Sequence, residues 1–115
     1  MEELIQKITT FRDERDWGQF HNPKDLAISL NLEASELLEI FQWKSNEEAI
    51  AKSKDKLQDE LADVLYYVLL MCNDLNIDPK KALIEKLKKN AEKYPVEKAY
   101  GSNKKYTELR GSNQE

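Results

Sequence analysis

The 115-residue chain has one cysteine, one histidine and no surplus of positive charge. A single thiol closes no intrachain disulfide, and with one imidazole it falls short of the Cys and His donors that zinc sites draw on. Cys72 lies in the apolar run 64–72 and reads as a small buried hydrophobe. Lys and Arg number 18 against 22 Asp and Glu, for a formal charge of −4. That balance offers no broad positive field for a polynucleotide backbone. No stretch approaches the roughly 18 uninterrupted apolar residues of a membrane span, and no apolar signal segment follows the acidic N-terminal residues. The sequence therefore predicts a cytoplasmic protein with neither a membrane nor a nucleic acid polymer as partner. It also lacks periodic repeats and low-complexity tracts.

What is present is helical. Hydrophobic residues make up 40% and charged residues 35%, a balance suited to helices with solvated outer faces but short of core for one chain. Leu4, Ile5, Ile8 and Phe11 recur at helical spacing and predict a first helix over about 2–15. Asn22 followed by Pro23 reads as an N-cap and first helical position, starting a second helix that ends near Gln42 or Trp43. Its inner face is Leu26, Leu30, Ala34, Leu37 and Phe41. Ser45 with Glu48 forms a capping box for a short helix over about 46–52.

A long helix over about 55–75 follows, with Leu57, Leu61, Val64, Val68, Met71, Cys72 and Leu75 on one side and Leu65, Leu69 and Leu70 widening that face. Such a helix belongs at the centre of a bundle or in a subunit interface. Asp78 and Pro79 start a last helix over about 79–93, with Ala82, Leu83, Leu87 and Ala91 inward, which Pro95 stops. The sequence thus predicts an all-α, antiparallel four-helix bundle, one domain over 1–100, with a flexible tail over 101–115.

Two departures from the apolar pattern carry chemistry. Glu33, Glu36 and Glu39 step around the second helix by about 60° each. Glu33 falls inside the apolar arc of Leu26, Leu37 and Ile40, where a carboxylate is costly unless paired or bound to metal. On the third helix Glu60 borders the arc of Leu57 and Val64, Asp63 follows three residues later, and Tyr67 continues the edge. If the two helices pack side by side, four carboxylates meet across the seam. Oxygen-only donors select a hard cation, Mg²⁺ or Mn²⁺. Either pair taken alone also fits an ordinary solvated helix surface.

These residues carry a resemblance. Glu33-Ala34-Ser35-Glu36 and Glu60-Leu61-Ala62-Asp63 resemble the E-x-x-E and E-x-x-D pairs of the MazG-type all-alpha nucleoside triphosphate pyrophosphohydrolases. The similarity to the small dCTP pyrophosphatase branch extends through Glu14-Arg15-Asp16-Trp17, Gln19-Phe20-His21, Pro23, the run from Leu37 to Trp43, Asn90 with Lys93-Tyr94-Pro95, and Lys105-Tyr106-Thr107-Glu108-Leu109. In all it covers about residues 11–109.

The resemblance implies a four-helix MazG-like bundle completed by association into a homodimer or homotetramer. It further implies Mg²⁺-dependent hydrolysis of a deoxynucleoside triphosphate, dCTP foremost, to monophosphate and pyrophosphate by water attack at the α-phosphorus. Glu33, Glu36, Glu60 and Asp63 are then the metal ligands, with Glu36 and Glu39 the candidates to orient or deprotonate the water. Asn90 and Lys93 would bind phosphate, joined from the tail by Lys105 and Tyr106. Trp17, Phe20, His21 and Trp43 offer stacking surfaces and polar edges for base or sugar. Hydrolysis of modified pyrimidine triphosphates, and a non-enzymatic metal-binding interaction bundle, stay open as alternatives.

Overall fold

The computed structural model describes residues 1–103, all of whose regular elements are helical. In chain order these are α1 (Glu2–Glu14), a 3₁₀ turn (Trp17–Phe20), α2 (Pro23–Glu39), α3 (Asn46–Asp74), α4 (Pro79–Lys93) and α5 (Val96–Ala99). The all-α class is as predicted. Most of the expected tail, with Lys105 and Tyr106, lies outside the described residues. No helix among them is long and apolar enough to cross a membrane.

The helix starts follow local chemistry. Asn22 accepts a hydrogen bond from the Asp25 backbone N–H at 2.9 Å and donates through its amide to the Asp25 carboxylate at 2.8 Å, while Pro23 occupies the first turn. Ser45 accepts from the Glu48 backbone N–H at 3.2 Å. Both caps satisfy donors that a helix start leaves unpaired.

One boundary differs from expectation. α2 ends at Glu39 rather than near Trp43, because the chain turns and Trp43 takes a left-handed φ of 63°. The expected short helix over 46–52 and the long one beyond it are both present within α3, as two helical segments that meet at a kink at Ser53 (φ −129°, ψ 24°). Nothing in 46–74 is glycine or proline, and the interruption is confined to that one residue. Pro95 does end the preceding helix, yet it also starts the four-residue α5, which its fixed φ favours.

Contacts divide the chain into two units, Met1–Asp78 and Pro79–Glu115. In the first, α2 and α1 both pack on α3. Leu26, Ile40, Ala49, Leu69 and Leu70 form its buried core. Each fully buried leucine contributes roughly 2 kcal/mol.

The sequence's broad apolar face on α3 is only partly covered. Leu61 and Leu65 stay 54% and 44% exposed, and Cys72 is half-buried instead of buried. A buried Arg12 joins α1 to the end of α3 through two hydrogen bonds to Asp74, at 2.8 and 3.0 Å. In the second unit, Leu83 and Leu87, predicted to face inward, are 61% and 57% exposed. The four-residue α5 is too short to cover an amphipathic face of α4.

Candidate active site

The acids that interrupt the apolar pattern meet on the α2–α3 seam. Carboxylate oxygens of Glu33, Glu36 and Glu60 lie within 4.8 Å of one another. Glu33 shares a cavity wall with Asp63, and Glu36 shares another with Glu60. Rising numbers on α2 thus meet falling numbers on α3, which makes the pair antiparallel.

Glu33 Oε2 and Glu60 Oε2 are both buried and have no hydrogen-bond partner. Buried carboxylate oxygens among like charges, unpartnered, fit a divalent cation taking hard oxygen donors. Glu33, Glu36 and Glu60 are the residues placed to hold it. Asp63 is not part of that convergence but bears on it, since its charge acts on Glu33.

Burial, followed by the Glu36, Asp63 and Glu60 carboxylates, pushes the Glu33 carboxyl up from 4.5 to about 7. Burial and Glu36 likewise raise Glu60. A carboxyl raised in the fold keeps a proton that the unfolded chain has already lost, so the metal-free protein should lose stability as pH climbs from 4.5 to about 7. Thermal melts in chelator across that window, for the natural chain and Glu33→Gln, isolate the effect. The variant should show the flatter profile, and identical profiles would remove Glu33 from the repulsive cluster. Added Mg²⁺ should raise the melting temperature most at the alkaline end.

Two unlike cavities flank the acids. One, of about 500 Å³, is walled by Lys7, Ile8 and Phe11 of α1, Trp17, Glu33 of α2, and Ala62, Asp63, Tyr66 and Tyr67 of α3. Its rings make a continuous edge-to-face chain: Trp17 to Phe11 at 5.7 Å, Phe11 to Tyr66 at 6.2 Å and Tyr66 to Tyr67 at 5.1 Å between centroids. The Arg15 guanidinium covers the Phe11 ring at 3.8 Å. The other cavity, of about 470 Å³, is walled by Glu36, Glu39, Ile40, Gln42, Lys44, Ser53, Lys56 and Glu60.

Of the aromatic residues singled out in the sequence, Trp17 therefore lines the apolar cavity. Phe20 and Trp43 do not; they are 64% and 91% exposed. His21 is half-buried, with its Nδ1 lacking a hydrogen-bond partner. Asn90 and Lys93 stand on the last turn of α4, in the second unit.

Sequence reasoning missed Phe11 and Tyr66 as cavity walls and Lys44 and Lys56 beside the acids. Tyr66 was within reach of the spacing, three residues beyond Asp63 on the same helix. Phe11 enters the sequence only as part of an apolar helical stripe, which looks the same whether it faces side chains or an opening.

The all-α fold carries an acidic cluster that could hold a divalent cation, and residues 28–109 match the MazG-like family, to which the chain belongs. The chain is 40% identical over 114 residues to dCTP pyrophosphatase 1 of Rattus norvegicus, covering 95% of its own length and 67% of that protein. The Homo sapiens protein of the same name is 37% identical over the same span, again with 67% of its length covered. The crystal structure of a pyrophosphatase from Archaeoglobus fulgidus superposes with a TM-score of 0.78 at 44% identity, covering 83% of this chain and 92% of that one. Family membership and the carboxylate cluster together support nucleoside triphosphate pyrophosphohydrolase activity in general terms.

Proposed function

We propose that the chain hydrolyses a deoxynucleoside triphosphate, dCTP first, to the monophosphate and pyrophosphate in a Mg²⁺-dependent reaction at the α-phosphorus. The observation that carries the reading is the convergence of Glu33, Glu36 and Glu60 within 4.8 Å beside a cavity walled by aromatic rings. The relatives named dCTP pyrophosphatase 1 direct the choice of base.

In this reading Glu33, Glu36, Glu60 and Asp63 hold the cation. Bound there, Mg²⁺ supplies positive charge that neutralises triphosphate oxygens and makes a nearby water more acidic. Glu36 and Glu39 are the carboxylates proposed to orient the attacking water and accept its proton. Trp17, with Phe11, Tyr66 and Tyr67, gives a flat base an apolar slot next to the acids, where ring faces and edges replace the water it leaves. Phe20, His21 and Trp43 are proposed as further base or sugar contacts, and Asn90, Lys93, Lys105 and Tyr106 as phosphate contacts.

A homodimer or homotetramer is the proposed assembly. Leu32, Leu38, Leu61 and Leu65 of α2 and α3 leave apolar area exposed that a second copy would cover.

The deciding experiment is a panel of canonical and modified deoxynucleoside triphosphates with Mg²⁺, assayed for both monophosphate and pyrophosphate. dCTP should give the highest kcat/KM and yield the two products in equal amounts. Release of inorganic phosphate without pyrophosphate, or no turnover of any triphosphate, would overturn the proposal. A preference for a modified pyrimidine would move the chain to the alternative hydrolase reading.

A further inference from the structure

The acidic cluster faces two cavities of opposite character. Glu33 opens on the aromatic one, whereas Glu36 and Glu60 open on the polar one. A ligand lying across both has a weakly polar end for one cavity and a charged end for the other, with its junction at the carboxylates.

Two lysines stand on the polar side. Lys44 follows Trp43 in the turn after α2, where the left-handed backbone of Trp43 reverses the chain toward α3. Lys56 lies four residues before Glu60 on α3, so both side chains share one helix face. The break at Ser53, itself part of the cavity wall, places Lys56 in the first turn of the segment that continues to Asp74. That end of a helix carries partial positive charge.

Among the described residues neither ammonium forms an ion pair, although Glu36, Glu39 and Glu60 wall the same cavity. A divalent cation bound at the cluster would offset the carboxylates of this wall and leave the two ammonium groups to meet an anionic ligand.

We infer that the polar cavity seats the β- and γ-phosphates of the substrate, with Lys44 and Lys56 binding the pyrophosphate that leaves. The inference rests on the pyrophosphohydrolase reading given above. In that reaction water oxygen bonds to the α-phosphorus and the bond to the α,β-bridging oxygen breaks. Pyrophosphate departs with that electron pair, while the proton of the water passes to a carboxylate. Ammonium groups beside the departing oxygens stabilise the charge that grows there more than they stabilise the bound triphosphate.

The test is calorimetric titration of the full chain with inorganic pyrophosphate in Mg²⁺, and separately with dCMP. The natural protein is compared with Lys44→Met, Lys56→Met and Lys54→Met. Lys54 carries the same charge on the same helix but is not part of the cavity wall. Lys44→Met and Lys56→Met should each weaken pyrophosphate binding about tenfold, the scale of one charge-assisted contact. dCMP affinity should stay the same, and Lys54→Met should behave as the natural chain.

Pyrophosphate affinity unchanged in both cavity variants would overturn the assignment, as would an equal loss of dCMP affinity, which marks a diffuse field and not a seat. Assaying pyrophosphate release from dCTP on the same samples separates the two claims. Turnover with lysine-independent pyrophosphate binding sinks only the assignment. Lysine-dependent binding without turnover of any triphosphate sinks only the hydrolase reading.

Discussion

Glu36→Gln is expected to reduce Mg²⁺-dependent pyrophosphate release from dCTP by about a hundredfold or more. The scale follows from comparison: residues that merely support a metal ligand cost roughly ten- to hundredfold when lost, and Glu36 is proposed as a ligand itself. Glu36 is the member of the convergent trio that is solvent-exposed, and it also walls the polar cavity. It therefore touches whatever occupies that space. The amide keeps the size of the side chain and removes its charge, so circular dichroism should show unchanged helix content. A steady-state rate equal to that of the natural chain would remove Glu36 from the site.

The second large effect concerns stability. Asp74→Ala should destabilise the protein by about 3 kcal/mol, near the lower end for breaking a buried ion pair because the Asp74 side chain keeps 22% exposure. The cost arises from what remains: a buried guanidinium deprived of both of its short hydrogen bonds to the aspartate. Chemical denaturation measures the loss, and replacing Arg12 as well with methionine should recover much of it.

The Arg12 hydrogen bonds, more than its charge, hold the Asp74 carboxyl below its ordinary value of 3.8. A lowered carboxyl contributes stability above its unfolded value and loses that contribution as pH falls through the folded one. The gap between natural chain and variant should accordingly narrow below pH 3.8. A gap unchanged into strong acid would show that the pair is not what holds α1 to α3.

Much of this arrangement was legible in the residues. Asn22-Pro23 and Ser45 marked helix starts because capping is a local event decided within one turn. Glu33 stood out because a carboxylate inside an apolar arc is costly, and that cost is visible in the spacing alone. Which carboxylates converge was less legible. It depends on how two helices are rotated against each other, and Asp63, three residues from Glu60, falls outside the tightest group.

The Arg12–Asp74 pair spans 62 residues and left no local trace in the sequence. Lys44 and Lys56 escaped notice for a different reason. Lysine is the ordinary occupant of a solvated turn or helix face, and only the walls of a cavity distinguish these two from their neighbours. For Leu83 and Leu87 the periodicity identified an apolar face correctly but carried no information on what would cover it.

Trp43 holds a large indole almost wholly in water on a backbone conformation that side chains other than glycine and asparagine adopt reluctantly. Covering an indole of roughly 200 Å² at roughly 25 cal/mol per Å² is worth on the order of 5 kcal/mol before ordering costs. Among the described residues that gain is forgone. An aromatic side chain projected in this manner is stored affinity, open to whichever surface comes to lie against it.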